Sequence, residues 1–353
     1  MKTPFSINGR LITKDNPPYI VAEISGNHNG EFSRAIELIN QAKWAGADAV
    51  KIQTYSPDTI TIDHNSPDFI LRDGLWKGKK LYDLYKIAHT PVEWHEPLFD
   101  HAKHIGITLF SSPFDHTAID LLEDLQTPAY KIASPEIIDT NLIKLCARTG
   151  KPIIISTGMA SLKEIGEAIE IARVSGASQI LLLHCISAYP TPLEESNLAT
   201  ISDLAQRFRS PVGLSDHSSG NFAATLAVAQ GAVLIEKHFT LSKSNGAIDN
   251  AFSIEPKELK QLVTDAKTAY LALGKPNYLP TKNEKLMLIA RRSLYVVANV
   301  KAGDIFTSQN IRSIRPNLGL HPKLYENVLG KIATQNIKRG QPLTFSMVCG
   351  LED

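Results

Sequence analysis

The amino-acid sequence predicts an α/β protein, a (β/α)8 TIM barrel followed by a small β-rich domain. Eight short apolar runs alternate with helical patterns between residues 17 and 274. Continuous apolar runs of this length are typical of parallel strands buried on both faces. Each run ends in polar residues, and barrels of this kind keep their chemistry at the carboxyl ends of the strands. The β-rich domain is predicted by a change of pattern after residue 290.

The eight runs are IVAEIS, DAVKIQT, ITLFSS, AYKIAS, PIIIST, ILLLHC, PVGLSDH and AVLIEKH. The polar residues at their ends are Glu23, Lys51, Gln53, Ser111, Ser112, Lys131, Ser134, Ser156, His184, Ser215, His217 and His238. Because the carboxyl ends of barrel strands meet at one rim, we expect these side chains to surround a single site.

Residues 1–274 are predicted to form the catalytic barrel domain, including an N-terminal hairpin that closes the bottom of the barrel. Asn8-Gly9 suits the tight turn of this hairpin. Helices are predicted by patterns such as FSRAIELINQAKWAGA, in which apolar residues recur at helical spacing before a glycine. An insertion, residues 57–90, follows the second strand on the active-site side, so we expect it to shape the substrate pocket.

The C-terminal part of the chain contains a short internal repeat. Residues 275–290 are rich in polar residues and contain two prolines, which predicts a linker. The segments NVKAGDIFTSQNI (299–311) and NIKRGQPLTFSMV (336–348) share an Asn-aliphatic-Lys-x-Gly pattern. Two such copies predict that residues 291–353 form a small β-rich module built from two similar halves.

The bulk composition excludes some classes of partner. The 353-residue chain has a formal net charge of +1 and is 43% hydrophobic, so neither nucleic acid nor a membrane surface is an expected partner. Three scattered cysteines are too few for a disulfide framework or a zinc finger. The N-terminus lacks the apolar stretch of a signal peptide, and we therefore expect a cytoplasmic protein.

A metal site is predicted at two neighbouring strand ends. His217 and His238 close the seventh and eighth strands, and imidazole nitrogens are good ligands for manganese, zinc or iron. Two such ligands plus water or substrate make an open catalytic site. The alternative is that each histidine only satisfies hydrogen bonds, but their adjacency favours the metal.

Lys51 and Lys131 lie inside apolar stretches, where an ammonium group is costly unless it meets an anion or has a lowered pKa. One of them would form a Schiff base in an aldolase, or both would bind a phosphate or carboxylate. The hydroxyls of Ser112, Ser134, Ser156 and Ser215 favour an anion site. Glu23 is either a general acid or base or a salt-bridge partner, and its spacing leaves both open.

The motifs VAEISGNHNG, VKIQTY, YKIASPE, STGM, HCxSxYPTP, GLSDHS and EKHFT, in this order, resemble those of the sialic acid synthase family. Residues 291–353 resemble its C-terminal antifreeze-like (SAF) domain, so the resemblance covers essentially the whole chain. Within the family, the segment FILRDGLWKGKKLYDLYKIAHTP is more similar to pseudaminic acid synthases than to sialic acid synthases.

This resemblance implies a metal-dependent condensation of phosphoenolpyruvate with an acetamido-sugar aldehyde, with release of phosphate. It implies His217 and His238 as ligands of a divalent metal, usually Mn²⁺, with Mg²⁺ or Co²⁺ as substitutes. It implies the catalytic set Glu23, Lys51, Lys131, His217 and His238. Phosphoenolpyruvate contacts are implied for Lys51, Ser112, Lys131, Ser134, Ser156 and Ser215. Sugar contacts are implied for Gln53, Glu136, Tyr189, Asp249 and Arg315.

Arg315 matches the arginine that the SAF domain offers to the other subunit, so a homodimer with exchanged SAF domains is implied. One residue departs from the pattern, since Ser187 stands where sialic acid synthases carry an asparagine. The resemblance favours 2,4-diacetamido-2,4,6-trideoxy-L-altrose as substrate, giving pseudaminic acid. Synthesis of N-acetylneuraminic or legionaminic acid is the alternative. A Schiff-base aldolase and a non-catalytic sugar-binding protein are the remaining rivals.

Overall fold

The computed structural model describes residues 4–352. The chain divides into two compact units, of which the first ends at Gly274 and the second begins at Lys275. Among the described residues, no helix combines the length and apolarity that crossing a bilayer requires.

An N-terminal hairpin closes one end of the first unit. Its strands are β1 (Ser6–Ile7) and β2 (Arg10–Leu11), which pair antiparallel. The turn residues Asn8 and Gly9 both have positive φ, 49° and 79°, as a tight hairpin turn demands. Phe5, Ile7 and Ile12 are buried in one cluster with the inward-facing apolar residues of the barrel, so the hairpin plugs its amino end.

Within the described residues, eight parallel strands close into the predicted barrel. They are β3 (Tyr19–Glu23), β4 (Ala49–Thr54), β5 (Thr108–Pro113), β6 (Tyr130–Ile132), β7 (Ile153–Ser156), β8 (Ile180–Cys185), β9 (Val212–Asp216) and β10 (Leu234–His238). Each pairs with its neighbours in sequence, and β10 closes the ring against β3. Each predicted apolar run overlaps one of these strands, which confirms the barrel.

Helices surround the barrel and cover its outer face. They are α1 (Phe32–Ala45), α2 (Pro57–Ile60), α3 (Leu81–Ala88), α4 (Val92–Ile105), α5 (His116–Asp124), α6 (Thr140–Arg148), α7 (Leu162–Val174), α8 (Thr200–Phe208), α9 (Phe222–Ala229) and α10 (Pro256–Leu273). Short 3-10 turns cover Ser25–His28, Pro67–Phe69, Pro135–Ile138, Leu193–Glu195 and Lys243–Asn245. The insertion supplies α2 and α3, and the apolar faces of the larger helices pack on the outward strand residues in one core.

The strand period of two decides which side chains enter the barrel. On β10, Ile235 belongs to the core under the helices, whereas Leu234 belongs to the core inside the barrel. Glu236 and His238 follow Leu234 at the same spacing and therefore point inward. Lys237 points outward. This alternation sorts the polar strand ends into inner and outer sets.

The second unit contains α11 (Lys282–Met287), β11 (Ser293–Val296), β12 (Ile311–Ile314) and α12 (Tyr325–Val328). Its 3-10 turns cover Leu288–Ala290, Pro322–Leu324 and Phe345–Met347. β11 and β12 pair antiparallel, and isolated bridges such as Val300 to Ile337 join the two repeat segments around a buried apolar core. The predicted linker is partly helical, because Thr281 and Glu284 form a capping box that starts α11.

Candidate active site

A cavity of about 310 Å³ opens at the carboxyl ends of the barrel strands. Its floor is polar and its wall on the side of the insertion is apolar. The polar lining consists of Ser25, Lys51, Gln53, Lys131, Ser134, Glu136, Ser156, Cys185, Tyr189, Ser215, His217, Glu236, His238 and Asp249. Most of the residues predicted from the strand ends therefore meet in one place.

Two lysines and two carboxylates form a buried network on the cavity floor. Lys51 Nζ lies 2.8 Å from Glu23 Oε2 and 3.2 Å from Glu236 Oε1. Lys131 Nζ lies 3.6 Å from the same Glu236 oxygen, to which the Ser215 hydroxyl also donates at 3.1 Å. Each charged side chain is 4% exposed or less. The formal charges cancel, so the network is neutral before any ligand arrives.

The two lysines differ in their protonation. Burial acts to lower the pKa of Lys51, but the carboxylates of Glu23 and Glu236 outweigh it and the net effect is a raised pKa. Burial lowers the pKa of Lys131, and its single close carboxylate does not fully compensate. For Glu236, burial acts to raise the pKa, but the two ammonium groups depress it overall, so it is ionised at neutral pH. Lys51 is therefore a fixed cation, and Lys131 is the more readily deprotonated.

The histidine pair lies beside this network. The rings of His217 and His238 are 5.2 Å apart between centroids. His217 Nδ1 lies 3.0 Å from the carbonyl oxygen of Ile186, so this nitrogen donates and Nε2 keeps its lone pair. His238 Nδ1 is buried without a hydrogen-bond partner and lies 3.5 Å from Asp249 Oδ2. Two imidazoles that each keep a ring nitrogen free to act as a ligand fit a divalent metal. No cluster of three or more His, Cys, Asp and Glu ligands occurs within residues 4–352, so other donors would complete the coordination.

Hydroxyl groups complete the floor. Ser156 Oγ is buried without a hydrogen-bond partner, as is Glu236 Oε2, which is expected where a polar ligand binds. Ser134 Oγ accepts a hydrogen bond of 3.2 Å from the Gly158 amide. A Cβ atom at position 158 would collide with the hydroxyls of Ser187 and Ser134, so a larger residue there would displace them.

The predicted sugar-side residues Gln53, Glu136, Tyr189 and Asp249 line the same cavity. Glu136 Oε2 is buried without a hydrogen-bond partner, and burial raises the pKa of this carboxyl to about 7. The Tyr189 ring lies 4.4 Å from that of His217 and 5.0 Å from that of Phe252. Aromatic rings thus surround the histidine pair on one side.

Three residues of the predicted catalytic and ligand-binding sets do not line the cavity. Glu23 and Ser112 are fully buried behind Lys51, whose Nζ donates to Ser112 Oγ at 3.4 Å. Gln53 Nε2 donates to Glu23 Oε1 at 3.3 Å, so Glu23 supports the cavity through its neighbours. Arg315 belongs to the second unit, where it is exposed and lines a separate cavity of about 410 Å³ with Arg291 and Arg292.

Sequence reasoning missed Glu236, which contacts both lysines. In the run AVLIEKH it considered His238 alone, whereas alternation from His238 predicts that Glu236 faces the same way. The same rule excludes two strand-end residues. His184 Nε2 contacts the Ser196 carbonyl oxygen at 2.7 Å, and Ser111 Oγ contacts Thr54 Oγ1 at 2.6 Å, both on the outer side of the barrel.

Comparison with known proteins also divides the chain into a large N-terminal part and a small C-terminal part. Residues 38–278 match the NeuB family, and residues 291–348 match the SAF domain. A pseudaminic acid synthase of Campylobacter jejuni is 45% identical over 330 residues, covering 93% of this chain and 96% of that protein. A pseudaminic acid synthase of Helicobacter pylori is 44% identical, covering 93% of this chain and 97% of that protein.

A solved structure shows the same architecture. The N-acetylneuraminic acid (sialic acid) synthetase of Leptospira borgpetersenii superimposes with a TM-score of 0.73 at 31% identity. The match covers 82% of this chain and 96% of that one.

Proposed function

The chain belongs to the NeuB family, and from this premise we propose that it is a pseudaminic acid synthase, a phosphoenolpyruvate-dependent transferase. The reaction condenses phosphoenolpyruvate with 2,4-diacetamido-2,4,6-trideoxy-L-altrose and releases phosphate. The observation that carries this proposal is the buried Lys51–Glu236–Lys131 network beside two histidines, in a cavity that also holds uncommitted hydroxyl and carboxyl groups.

Phosphoenolpyruvate is assigned to the cavity floor. Lys51 and Lys131 are the cations for its phosphate and carboxylate, and the hydroxyls of Ser134, Ser156 and Ser215 are the neutral donors. Ser112 acts one layer behind, by holding Lys51. The sugar is assigned to Gln53, Glu136, Tyr189 and Asp249.

Charge balance supports the need for a metal. The lysine–carboxylate network is formally neutral, and phosphoenolpyruvate brings about three negative charges because its phosphate carries up to two. An uncompensated anion in a buried cavity is costly. A divalent cation at His217 and His238 together with the guanidinium of Arg315 would balance these charges. We propose Mn²⁺ as the cation, with Mg²⁺ or Co²⁺ as substitutes.

His217 Nε2 and a nitrogen of His238 would hold the metal, which when bound supplies a Lewis acid for the sugar aldehyde. His217→Asn is therefore expected to weaken Mn²⁺ binding measured by calorimetry. Unchanged binding would count against this site.

The bond changes follow from the two substrates. Carbon 3 of phosphoenolpyruvate attacks the aldehyde carbon, whose oxygen takes up a proton to become a hydroxyl. Carbon 2 is left electron-poor, and water adds there after giving one proton to a carboxylate. The bond between carbon 2 and the bridging oxygen then breaks, phosphate leaves with the electron pair and takes up the proton of the new hydroxyl, and a ketone remains. Lys51 and Lys131 stabilise the departing phosphate in place.

Glu236 is the carboxylate that we assign to the water. The sequence left Glu23 open as a general acid or base, and both carboxylates have a buried oxygen without a hydrogen-bond partner, but of the two Glu236 lines the cavity. When an anionic substrate draws on Lys51 and Lys131, their hold on Glu236 weakens and its pKa rises toward that of a useful base. Glu23 keeps Lys51 charged and oriented.

A Schiff-base aldolase is the second candidate, because burial lowers the pKa of Lys131 as that mechanism requires. Borohydride with pyruvate traps a lysine adduct only in an aldolase. A non-catalytic sugar-binding protein would bind sugar without releasing phosphate. The buried lysine–carboxylate network argues against it, since sugar binding alone rarely requires one.

The proposal is tested by phosphate release from phosphoenolpyruvate and Mn²⁺ with each of three sugars. We expect the largest kcat/KM with 2,4-diacetamido-2,4,6-trideoxy-L-altrose. A preference for N-acetylmannosamine or for the legionaminic precursor would assign the chain to the corresponding alternative. No phosphate release with any of them, in the presence of metal, would overturn the proposal.

We also assign Arg315 to the active site of a second copy in a homodimer. Its side chain is exposed, and within residues 4–352 it makes no ion pair or hydrogen bond. Arginine is suited to carboxylate and phosphate groups because its fork of donors matches their geometry. Residue 315 thus has the chemistry that the charge balance requires.

A further inference from the structure

The insertion forms one wall of the cavity, and that wall carries no charged side chain. Its contributions are Ile60, Leu71, Trp76, Leu81, Leu84, Tyr85 and Ala88, none of them charged. Leu84 is buried, whereas Leu71, Trp76 and Leu81 remain partly exposed where they border the cavity. The lysine–carboxylate network lies on the barrel floor, and the other two carboxylates of the lining, Glu136 and Asp249, lie in loops beyond the strand ends.

Trp76 presents its ring rather than its polar atom. Its indole nitrogen donates a 3.3 Å hydrogen bond to the carbonyl oxygen of Ile248, which satisfies the one donor of the side chain. The ring lies 5.9 Å from that of Tyr189 and 6.3 Å from that of Phe252. Because these two rings also lie near the histidine pair, aromatic surface runs from the metal side of the cavity to the insertion.

The other end of the wall is aromatic, and its polar atoms are the hydroxyls of Tyr55 and Tyr85. Tyr55 packs edge-on against Tyr85 at 5.6 Å and against Phe114 at 5.2 Å. Leucine side chains beside these rings offer no donor or acceptor. A sugar hydroxyl turned toward Leu71, Leu81 and the Trp76 ring would lose its water without gaining a partner, whereas a methyl group would gain contact.

We propose that Leu71, Trp76 and Leu81 form an apolar subsite that selects sugars carrying methyl-terminated substituents in place of hydroxyls. The substrate class is a deoxy, N-acylated aldose, whose deoxy methyl and acyl methyl groups pack on the wall. This inference rests on the proposed function and adds the residues that determine its sugar preference. Residues of the insertion act on binding and leave the chemistry to the barrel floor.

The experiment compares two sugars in three variants. Leu71→Asn and Leu81→Asn keep the side-chain size and add polar atoms to the wall. Leu75→Asn is the matched control, because Leu75 lies in the same loop, is 49% exposed and does not line the cavity. Phosphate release is measured with 2,4-diacetamido-2,4,6-trideoxy-L-altrose and with N-acetylmannosamine. Calorimetric binding of both sugars and thermal melting are measured in parallel.

We expect Leu71→Asn and Leu81→Asn to lower the preference for the deoxy sugar by about 10-fold or more, mainly through KM, within the range typical of apolar pockets. Leu75→Asn should leave the preference unchanged. If the folded wall variants keep the wild-type preference in both turnover and binding, the inference is overturned. Absence of phosphate release from the wild type would instead overturn the proposed function, and the binding ratios would still decide the role of the wall.

Discussion

The Lys237 ammonium lies 2.6 Å from Asp216 Oδ2, outside the barrel wall and directly beside the two residues assigned to the metal. Lys237 also donates to the carbonyl oxygen of Ser218 at 2.7 Å and is fully buried. Since Asp216 precedes His217 and Lys237 precedes His238, the pair joins the ends of β9 and β10. It fixes the spacing of the two rings from behind.

Removing one partner of this pair should be costly. Lys237→Met leaves Asp216 as an uncompensated buried charge, which typically destabilises by about 3–5 kcal/mol. Urea unfolding measures the change. Arg207→Met is the control, because it breaks an exposed pair with Asp203 of the same 2.6 Å length, expected to be worth about 0–1 kcal/mol. Equal losses in the two variants would contradict the buried role.

Substitutions of the two carboxylates of the cavity network should lower kcat by different amounts. Glu236→Gln removes the assigned base and is expected to lower kcat by about 10²- to 10⁴-fold, the usual contribution of general acid–base catalysis. Glu23→Gln should cost less, because it acts on the cavity only through Lys51 and Gln53. Steady-state phosphate release measures both. A larger loss in Glu23→Gln would return the base role to Glu23.

Glu136 should make stability depend on pH. Burial raises the pKa of its carboxyl in the folded state to about 7, above the unfolded value, so folding binds a proton between these two values. The carboxyl therefore opposes folding increasingly as pH rises toward 7. We expect the Tm gain of Glu136→Gln over wild type to be larger at pH 8 than at pH 5. A gain independent of pH would contradict the raised pKa.

Arg315 should act between subunits. Lys131→Ala and Arg315→Ala are each expected to be nearly inactive, since losing one preorganised donor costs about 2–4 kcal/mol of transition-state stabilisation. In a mixed dimer with exchanged domains, one site regains both residues, so mixing the unfolded chains and refolding them together should restore activity. If Arg315 serves its own chain, every site in the mixture lacks one residue and activity stays absent.

Much of this architecture could be predicted from sequence because burial on both faces leaves a plain apolar signal. IVAEIS and AVLIEKH became β3 and β10, and the hairpin turn at Asn8-Gly9 follows from backbone chemistry alone. The sequence predicted less well which polar side chains point into the barrel and which point outward. Ser111 and His184 face outward, and Glu236 faces inward, because the face depends on register within the strand rather than on distance from its end.

The insertion shows where local patterns carry less information. The insertion comes directly after a barrel strand, which predicts its place on the active-site side. The contact of Trp76 with Ile248, however, joins positions far apart in sequence. Such a contact depends on tertiary packing, which no local period encodes. The neutral charge of the floor was also missed, because both lysines were recognised without their shared partner Glu236.

The most direct test of the central claim uses phosphoenolpyruvate labelled with ¹⁸O at the oxygen that bridges carbon 2 and phosphorus. The labelled compound is incubated with the enzyme, Mn²⁺ and 2,4-diacetamido-2,4,6-trideoxy-L-altrose, and the released phosphate is analysed by mass spectrometry. Cleavage between carbon 2 and oxygen predicts that the phosphate keeps the ¹⁸O and that a nine-carbon acid sugar forms with it. Unlabelled phosphate, or phosphate without that sugar, would contradict the account.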